Sequence, residues 1–325
     1  MKTYHINGIA SDNDYIYTDG DLFTVQIHTS ESYQTFFYTG DCLVRELDCE
    51  LVSLYDKFRD LYFHDLDLYY KNLANIPIGI YTGGHSSENS ISKDDFLTIK
   101  DKCDSFLPDL NKYIYLGDCQ YLVSTVQNLI QSIEHCFIQY YIQISEVELP
   151  KNLLNDSETY DCSSPKSMNI MFYVETFFTK MYSILDMMVK IVYELENPVA
   201  SFSSITKLKC SEKLWGDKKR ITINGMADSI FEDCETIRKI ESLRNEAVHN
   251  GSWEFRPKIF FRVENNAIIE RYMLFPDFDE GRLSTLKNRK HFFSSGTKIN
   301  DALVEIHSEF YKRLLFTIKY IKSHI

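Results

Sequence analysis

The chain has 325 residues, of which 44% are hydrophobic and 25% are charged, and its formal net charge is −12 at pH 7. Its 12 glycines and 7 prolines stand against 22 tyrosines and 22 phenylalanines, which excludes collagen-like and low-complexity proteins. Residues 1–150 carry a net charge of −14 and residues 151–325 a net charge of +2, so any nucleic acid is expected to bind the rear half.

Neither a membrane span nor a secretion signal is predicted. No stretch approaches the ~20 apolar residues of a transmembrane helix, and the first residues lack the apolar run of a signal peptide. The eight cysteines are scattered and never form a CxxC pair, which favours free thiols over disulfides or a zinc site. The sequence therefore predicts a cytoplasmic protein that makes no membrane contact.

The first 40 residues are predicted to be rich in strands. Residues 15–18 and 21–27 flank Asp19-Gly20, a dipeptide that suits a tight hairpin, and residues 33–38 form a third strand-like run. Helical spacing follows: one apolar stripe covers residues 47–61, a helix capped by Ser92 covers about 92–106, and another covers 122–144.

Residues 76–90 are predicted to form a loop, and residues 145–167 lose all periodicity and collect Pro, Ser, Asn and Asp. The second segment is the best domain boundary in the chain. We expect an N-terminal α+β domain of unknown role over residues 1–150 and a helical domain over residues 168–325.

The rear half is predicted to be an up-and-down helical bundle with an inserted β-hairpin, so the fold class is mainly α. The strongest apolar stripe covers residues 170–195, and a shorter helix is expected over 199–210. A further helix follows Asn224-Gly225 and ends at Asn250-Gly251. Residues 258–275 form the hairpin around Asn265-Asn266, and residues 299–321 form the last helix.

Several sequence motifs of known enzymes are absent. There is no GxxxxGK[ST] loop, so P-loop nucleotide chemistry is excluded, and the HExxH, GxSxG and GxGxxG motifs are absent as well. Asp12-x-Asp14 and Asp19-x-Asp21 are pairs of carboxylates, but aspartate is common at turns for local hydrogen-bonding reasons. We predict neither a metal site nor a cofactor.

Arg244, Asn245 and His249 form the one group of residues that suggests chemistry. Asn245 and His249 lie four residues apart and share a helix face. Arginine is a permanently charged fork for phosphate, and histidine is the side chain that titrates near neutrality. This combination suits phosphodiester chemistry without a metal. The alternative is structural: Arg244 pairs with Glu241, and His249 interacts with the helix dipole.

At these residues the sequence resembles the HEPN superfamily, whose hallmark is an arginine, commonly followed by asparagine, with a histidine four to six residues on. The segment Arg244-Asn245-Glu246-Ala247-Val248-His249 has the four-residue form, and the resemblance covers about residues 168–325. It implies a helical bundle that dimerises and, in many members, a metal-independent endoribonuclease of toxin–antitoxin or antiphage defence.

Applied to this chain, the resemblance implies that the 2′-OH of RNA attacks the adjacent phosphate at a composite site built from both chains of a dimer. Arg244 is then expected to stabilise the phosphorane, His249 to act as general acid or base, and Asn245 to orient one of them. The alternative is a non-catalytic HEPN-like module that dimerises or binds RNA or a partner. The front half is expected to sense, regulate or bind a protein partner.

Two further groups of residues are candidates for supporting roles. Glu175 and Asp186 on the long helix are candidates for tuning the motif, against the alternative that they are solvated surface charges. Basic clusters interleaved with aromatic residues suit single-stranded RNA or tRNA, although loops are often basic for solubility alone. The basic candidates are Lys218, Lys219, Arg220, Lys287, Arg289 and Lys290.

Overall fold

The computed structural model describes residues 2–12, 24–29, 34–37, 41–149 and 159–325. Within these residues the protein is mainly helical with small antiparallel sheets, as predicted. The helices are α1 (Asp41–Tyr62), α2 (Leu66–Leu73), α3 (Ile78–Thr82), α4 (Lys93–Asp104), α5 (Leu110–Ser145), α6 (Pro165–Glu196), α7 (Glu235–His249) and α8 (Ile299–His324), with a 3₁₀ helix at Trp215–Arg220. The strands are β1 (Lys2–His5), β2 (Ala10–Asp12), β3 (Thr24–Thr29), β4 (Gln34–Phe37), β5 (Thr159–Cys162), β6 (Ile259–Glu264), β7 (Ala267–Tyr272), β8 (Phe278–Asp279) and β9 (Arg282–Leu283).

The chain divides into two compact units, and each takes several segments of the sequence. The first contains Met1–Asp48, Asn128–Ile184 and Gly225–Thr317, and the second contains Cys49–Gln127, Leu185–Asn224 and Ile318–Ile325. Each unit therefore draws on both predicted domains, and the predicted division at residues 150 and 168 stays a prediction. No helix of the described residues is long and apolar enough to span a membrane.

Helix α6 confirms the helix that the strongest apolar stripe predicted. Every apolar residue predicted to share its inner face is buried, from Ile170 to Leu195. The helix starts earlier than the stripe because Pro165 suits the first turn, and Ser164 and Ser167 exchange hydrogen bonds between hydroxyl and backbone N–H at 2.9 and 3.3 Å. It ends at Glu196, just before Asn197-Pro198.

The four-stranded N-terminal sheet has the order β2-β1-β3-β4 and is antiparallel throughout. The hairpin predicted around Asp19-Gly20 lies outside the described residues, apart from the end of its second strand, which is in β3. The β1–β2 hairpin was not predicted, although Asn7-Gly8 is a turn dipeptide. Gly8 has φ +71°, and a Cβ there would lie 2.3 Å from the backbone oxygen of Arg271, so this position requires glycine.

The β6–β7 hairpin confirms the strand prediction for residues 258–275. Asn265 and Asn266 both have positive φ, as a type I′ turn requires. The opposite edge of β6 pairs with β5, so the order is β5-β6-β7. The segment 145–167, which was predicted to have no regular structure, therefore contributes a strand, because β6 offers it a free edge.

Two helix predictions and one loop prediction need correction. Residues 199–210 form no helix; Phe202 instead packs edge-on against Tyr62 and Tyr115. The helix expected directly after Gly225 starts at Glu235, because turns and bends precede it and the backbone N–H of Ile230 donates to the Thr317 hydroxyl. The predicted loop 76–90 contains the one-turn helix α3.

An ion pair in the second unit makes its stability depend on pH. His85 Nε2 lies 3.0 Å from a carboxylate oxygen of Asp118, and this hydrogen bond raises the pKa of His85 above 6.5. Protonated His85 therefore stabilises the fold. That contribution is complete below the unfolded-state pKa and is lost as pH rises through the folded-state pKa.

Replacing Asp118 with asparagine is expected to lower the free energy of unfolding by roughly 0.5–1 kcal/mol near pH 6 and by little at pH 9. Urea unfolding at the two pH values measures the difference. An equal loss at both would show that the charge on His85 contributes nothing.

Candidate active site at the end of α7

Helix α7 places the motif at its C-terminal end. Ile237, Ile240 and Leu243 bury one face of the helix in the first unit. The helix ends where the backbone N–H of Asn250 donates to the carbonyl of Glu246 at 2.9 Å and Gly251 takes φ +86°. Arg244 and Asn245 are half-buried and His249 is exposed. The motif thus lies on the open side of the helix, where a ligand has access.

The structure brings the three predicted catalytic side chains together. Nη1 of Arg244 donates to Oδ1 of Asn245 at 3.0 Å and lies 3.4 Å from Nε2 of His249. Arginine has only N–H donors, so this contact suits a histidine whose Nε2 is the acceptor. The roles assigned to these residues stay predictions, but their side chains share one small polar site.

Tyr182 on α6 holds the other side of Arg244. The guanidinium carbon lies 4.4 Å from the centre of the Tyr182 ring, a cation–π contact. A ring beneath the guanidinium limits its rotation and leaves its edge free for an anion. The sequence offered no signal for this contact, because Tyr182 and Arg244 lie far apart in the chain.

Glu246, inside the motif, is the functional candidate that the sequence analysis missed. Its carboxylate is buried (6% exposed) and accepts hydrogen bonds from Lys290 Nζ at 3.2 Å, His291 Nε2 at 3.2 Å and Asn250 Nδ2 at 2.9 Å. A buried carboxylate needs such partners, because leaving it unpaired costs several kcal/mol. A carboxylate at an apolar-face position of α7 was the available sequence signal. Glu246 fastens the 287–291 turn to the motif helix.

The predicted basic residues fall into two places. Lys287, Arg289 and Lys290 lie in the turn that Glu246 holds, in the same unit as the motif. Lys218, Lys219 and Arg220 lie on the 3₁₀ helix of the second unit. There, Lys218 covers the ring of Trp215 at 4.2 Å and Arg220 pairs with Asp217 at 3.5 Å. Lys287, Arg289 and Lys290 therefore lie in the turn that Glu246 connects to the motif helix.

The two carboxylates predicted to tune the motif have other contacts. Burial raises the pKa of Glu175, and a hydrogen bond with Ser252 opposes that shift. Ser252 follows His249 closely in the chain, so Glu175 lies beside the segment that leaves the motif helix. The carboxylate of Asp186 accepts the backbone N–H of Trp215 at 2.5 Å and thereby holds the start of the 3₁₀ helix.

In the described part of the chain, no group of three or more His, Cys, Asp and Glu side chains is arranged to hold a metal ion. Of the two carboxylate pairs that the sequence analysis considered, Asp14, Asp19 and Asp21 lie outside the described residues, and Asp12 is described only by its backbone in β2.

Comparison with known families gives a match over the motif. A family model described as Cthe2314-like HEPN matches residues 119–313, which is more than half of the chain and includes α6, the whole motif and the 287–291 turn. No curated protein and no solved structure gives a significant match.

Proposed function

Because the chain belongs to the HEPN family, we propose that it is a metal-independent endoribonuclease that acts as a toxin or in antiphage defence. Its substrate is single-stranded RNA or tRNA. The reaction is attack of a ribose 2′-OH on the adjacent phosphate, which leaves a 2′,3′-cyclic phosphate and a free 5′-OH.

The convergence of Arg244, Asn245 and His249 is the observation that carries this proposal. A guanidinium held between Tyr182 and Asn245 is positioned to neutralise the charge that develops on a pentavalent phosphorus. His249, exposed beside it, moves a proton during the displacement. Asn245 orients the arginine in this proposal, and their 3.0 Å hydrogen bond supports that role.

The chemistry of cleavage also supports a site that two chains share. Cleavage needs one group to remove the proton of the 2′-OH and another to protonate the departing 5′-oxygen. One chain contributes one motif histidine, His249. In the proposed homodimer, the two His249 side chains perform the two proton transfers, and the 287–291 turns add positive charge for the RNA backbone.

The test is cleavage of labelled single-stranded RNA and tRNA by the purified protein in EDTA. Wild type is expected to leave 2′,3′-cyclic ends, and His249→Ala is expected to lower the rate by about 100-fold or more. His324→Ala is the matched control, because His324 is also an exposed histidine in the last turn of a helix.

The control is expected to cleave like wild type. Equal residual cleavage by wild type and His249→Ala would place the activity at another site or in a contaminant. Loss of wild-type cleavage in EDTA and its return with Mg²⁺ would contradict the metal-independent reaction.

The second candidate is a non-catalytic HEPN-like module that dimerises and binds RNA or a protein partner. The net charge of −12 and the acidic front half favour the form that binds a protein partner, because proteins that bind RNA without sequence preference are usually basic. It predicts a dimer in sedimentation that binds RNA or a partner chain without cutting RNA, and whose binding is unchanged in His249→Ala.

A further inference from the structure

A cavity of about 260 Å³ opens in the first unit, which also holds the motif. Methionine, leucine and isoleucine side chains form part of its wall, and five other lining residues are Glu254, Arg256, Lys258, Phe260 and Phe293. Pockets for drug-sized ligands have volumes of ~300–1,000 Å³. This one therefore suits a single planar ring system with its attached sugar.

The cavity is linked to the motif by a short chain of contacts. Residues 250–258 lead from the end of α7 into β6, and within them the backbone N–H of Glu254 donates to the Ser252 hydroxyl at 3.0 Å. His291, which contacts Glu246 at 3.2 Å, also acts electrostatically on Glu254. The segments that line the cavity are therefore connected to the motif helix.

Two phenylalanines give the cavity apolar faces. Phe260 is stacked on Tyr272, with ring centres 5.4 Å apart, which holds its ring in one orientation. Phe293 is half-exposed and stacks on no other ring in the described part of the chain. Such free aromatic faces are what protein sites use to stack nucleobases.

Phe293 is held in place by the residues beside it. Asp277 accepts the backbone N–H groups of Ser294 and Ser295 at 2.8 and 2.9 Å and the Ser294 hydroxyl at 2.6 Å. Burial opposes the ionisation of Asp277, but these hydrogen bonds outweigh it and keep the pKa well below its usual range. The turn that carries Phe293 is thus ordered before a ligand arrives.

Two cations lie at the cavity, and among the described residues one of them has no carboxylate partner. Lys258 pairs with Asp161 at 2.6 Å. Arg256 is exposed and forms no ion pair within the described residues. An exposed guanidinium that forms no ion pair can bind a phosphate group through its N–H donors.

Glu254 adds specificity, because a carboxylate offers only hydrogen-bond acceptors. It is half-buried, and burial raises its pKa, while the backbone N–H of Arg256 and the nearby His291 and Lys258 oppose that shift. Among the four RNA bases, guanine alone presents two adjacent N–H donors, at N1 and N2, on its Watson–Crick edge. Adenine, cytosine and uracil each place an acceptor beside their donor, so a carboxylate favours guanine.

We propose that this cavity binds a guanine nucleotide, with the base against Phe260 and Phe293, its N1–H and N2–H on Glu254 and its phosphate at Arg256. In the proposed nuclease, the cavity selects the base next to the cleaved bond. This assignment rests on the proposed function, but the site is tested by binding alone.

The test is calorimetric titration of the wild-type protein with GMP, AMP, CMP and UMP. GMP is expected to bind about 10-fold or more tightly than the others, and Glu254→Gln is expected to abolish that preference. Phe293→Ala is expected to weaken GMP binding about 10-fold. Phe255→Ala is the control, because Phe255 is 94% exposed, lies next in the chain to Glu254 and does not line the cavity.

If the Glu254 or Phe293 variant fails to fold, Arg256→Ala still tests the proposal, because Arg256 is a surface residue. It is expected to reduce GMP binding to the level of guanosine and to leave guanosine binding unchanged. Equal binding of all four nucleotides, or GMP binding that Glu254→Gln, Phe293→Ala and Arg256→Ala all leave unchanged, would overturn the proposal.

The same titration distinguishes RNA from a free nucleotide. The pentanucleotide AAGAA, with 2′-O-methyl riboses at its first four positions to prevent cleavage at any bond, is expected to displace GMP and to bind more tightly, because it adds backbone phosphates. Failure to displace GMP would overturn the RNA assignment. GMP binding that persists in His249→Ala, together with RNA that wild type does not cut, would contradict the nuclease but leave the cavity's ligand in place.

Discussion

Replacing Arg244 with lysine is expected to lower RNA cleavage by the proposed nuclease by about 100-fold or more, although the positive charge is retained. The guanidinium of Arg244 contacts Asn245, His249 and the Tyr182 ring at the same time. A lysine ammonium is a point charge on a flexible chain and cannot present parallel N–H donors to a phosphate. Losing one donor aimed at a developing charge costs ~10²–10³ in rate.

Initial rates of RNA cleavage in EDTA measure this effect, with circular dichroism to check the fold. Arg238→Lys is the matched control on the same helix, because Arg238 contacts Asp233 at 2.9 Å and the Glu280 carbonyl at 2.7 Å rather than the motif. A rate for Arg244→Lys close to wild type would mean that charge alone is sufficient. The proposed role of the guanidinium geometry would then be wrong.

Replacing Asn300 with leucine is expected to lower the free energy of unfolding by about 3–5 kcal/mol. Asn300 is 1% exposed at the start of α8. Its side-chain amide donates to the carbonyls of Ile6 and Arg271 at 2.6 and 3.0 Å, and its side-chain oxygen accepts the Tyr140 hydroxyl at 2.6 Å. Leucine leaves the buried Tyr140 hydroxyl and two partly buried carbonyls without this partner, and each costs ~1–3 kcal/mol.

Urea unfolding measures the loss, and a second change tests its cause. Tyr140→Phe removes one of the stranded groups, so Asn300→Leu is expected to cost less in the Tyr140→Phe background than in wild type. Equal costs in the two backgrounds would show that the hydroxyl–amide hydrogen bond contributes nothing. A stable Asn300→Leu protein would show that water or backbone movement satisfies the three groups.

Local patterns accounted for much of the fold. The apolar stripe of α6 predicted a buried helix face, and the apolar residues of that stripe, from Ile170 to Leu195, are all buried. Asn265-Asn266 predicted the β6–β7 turn, because asparagine tolerates the positive φ that this turn needs. These features depend on residues a few positions apart, so the local sequence is sufficient to predict them.

Features that depend on distant partners were missed or misplaced. Strand β5 was not predicted because its pairing partner, β6, lies about 100 residues further along the chain. The helix predicted over residues 199–210 is absent, and Phe202 from that segment packs against Tyr62 and Tyr115. Intrinsic helix preference is weak enough for such packing to override it.

The sequence by itself determined that the protein is mainly α, that Arg244, Asn245 and His249 close a helix, and that they resemble a HEPN motif. Only the tertiary structure decided which side chains surround them: Tyr182 beneath Arg244, Glu246 holding Lys290 and His291, and the cavity between Glu254 and Phe293. The physical reason is that helix periodicity and turn chemistry act over a few residues. A site, in contrast, is made by packing segments that the chain keeps far apart.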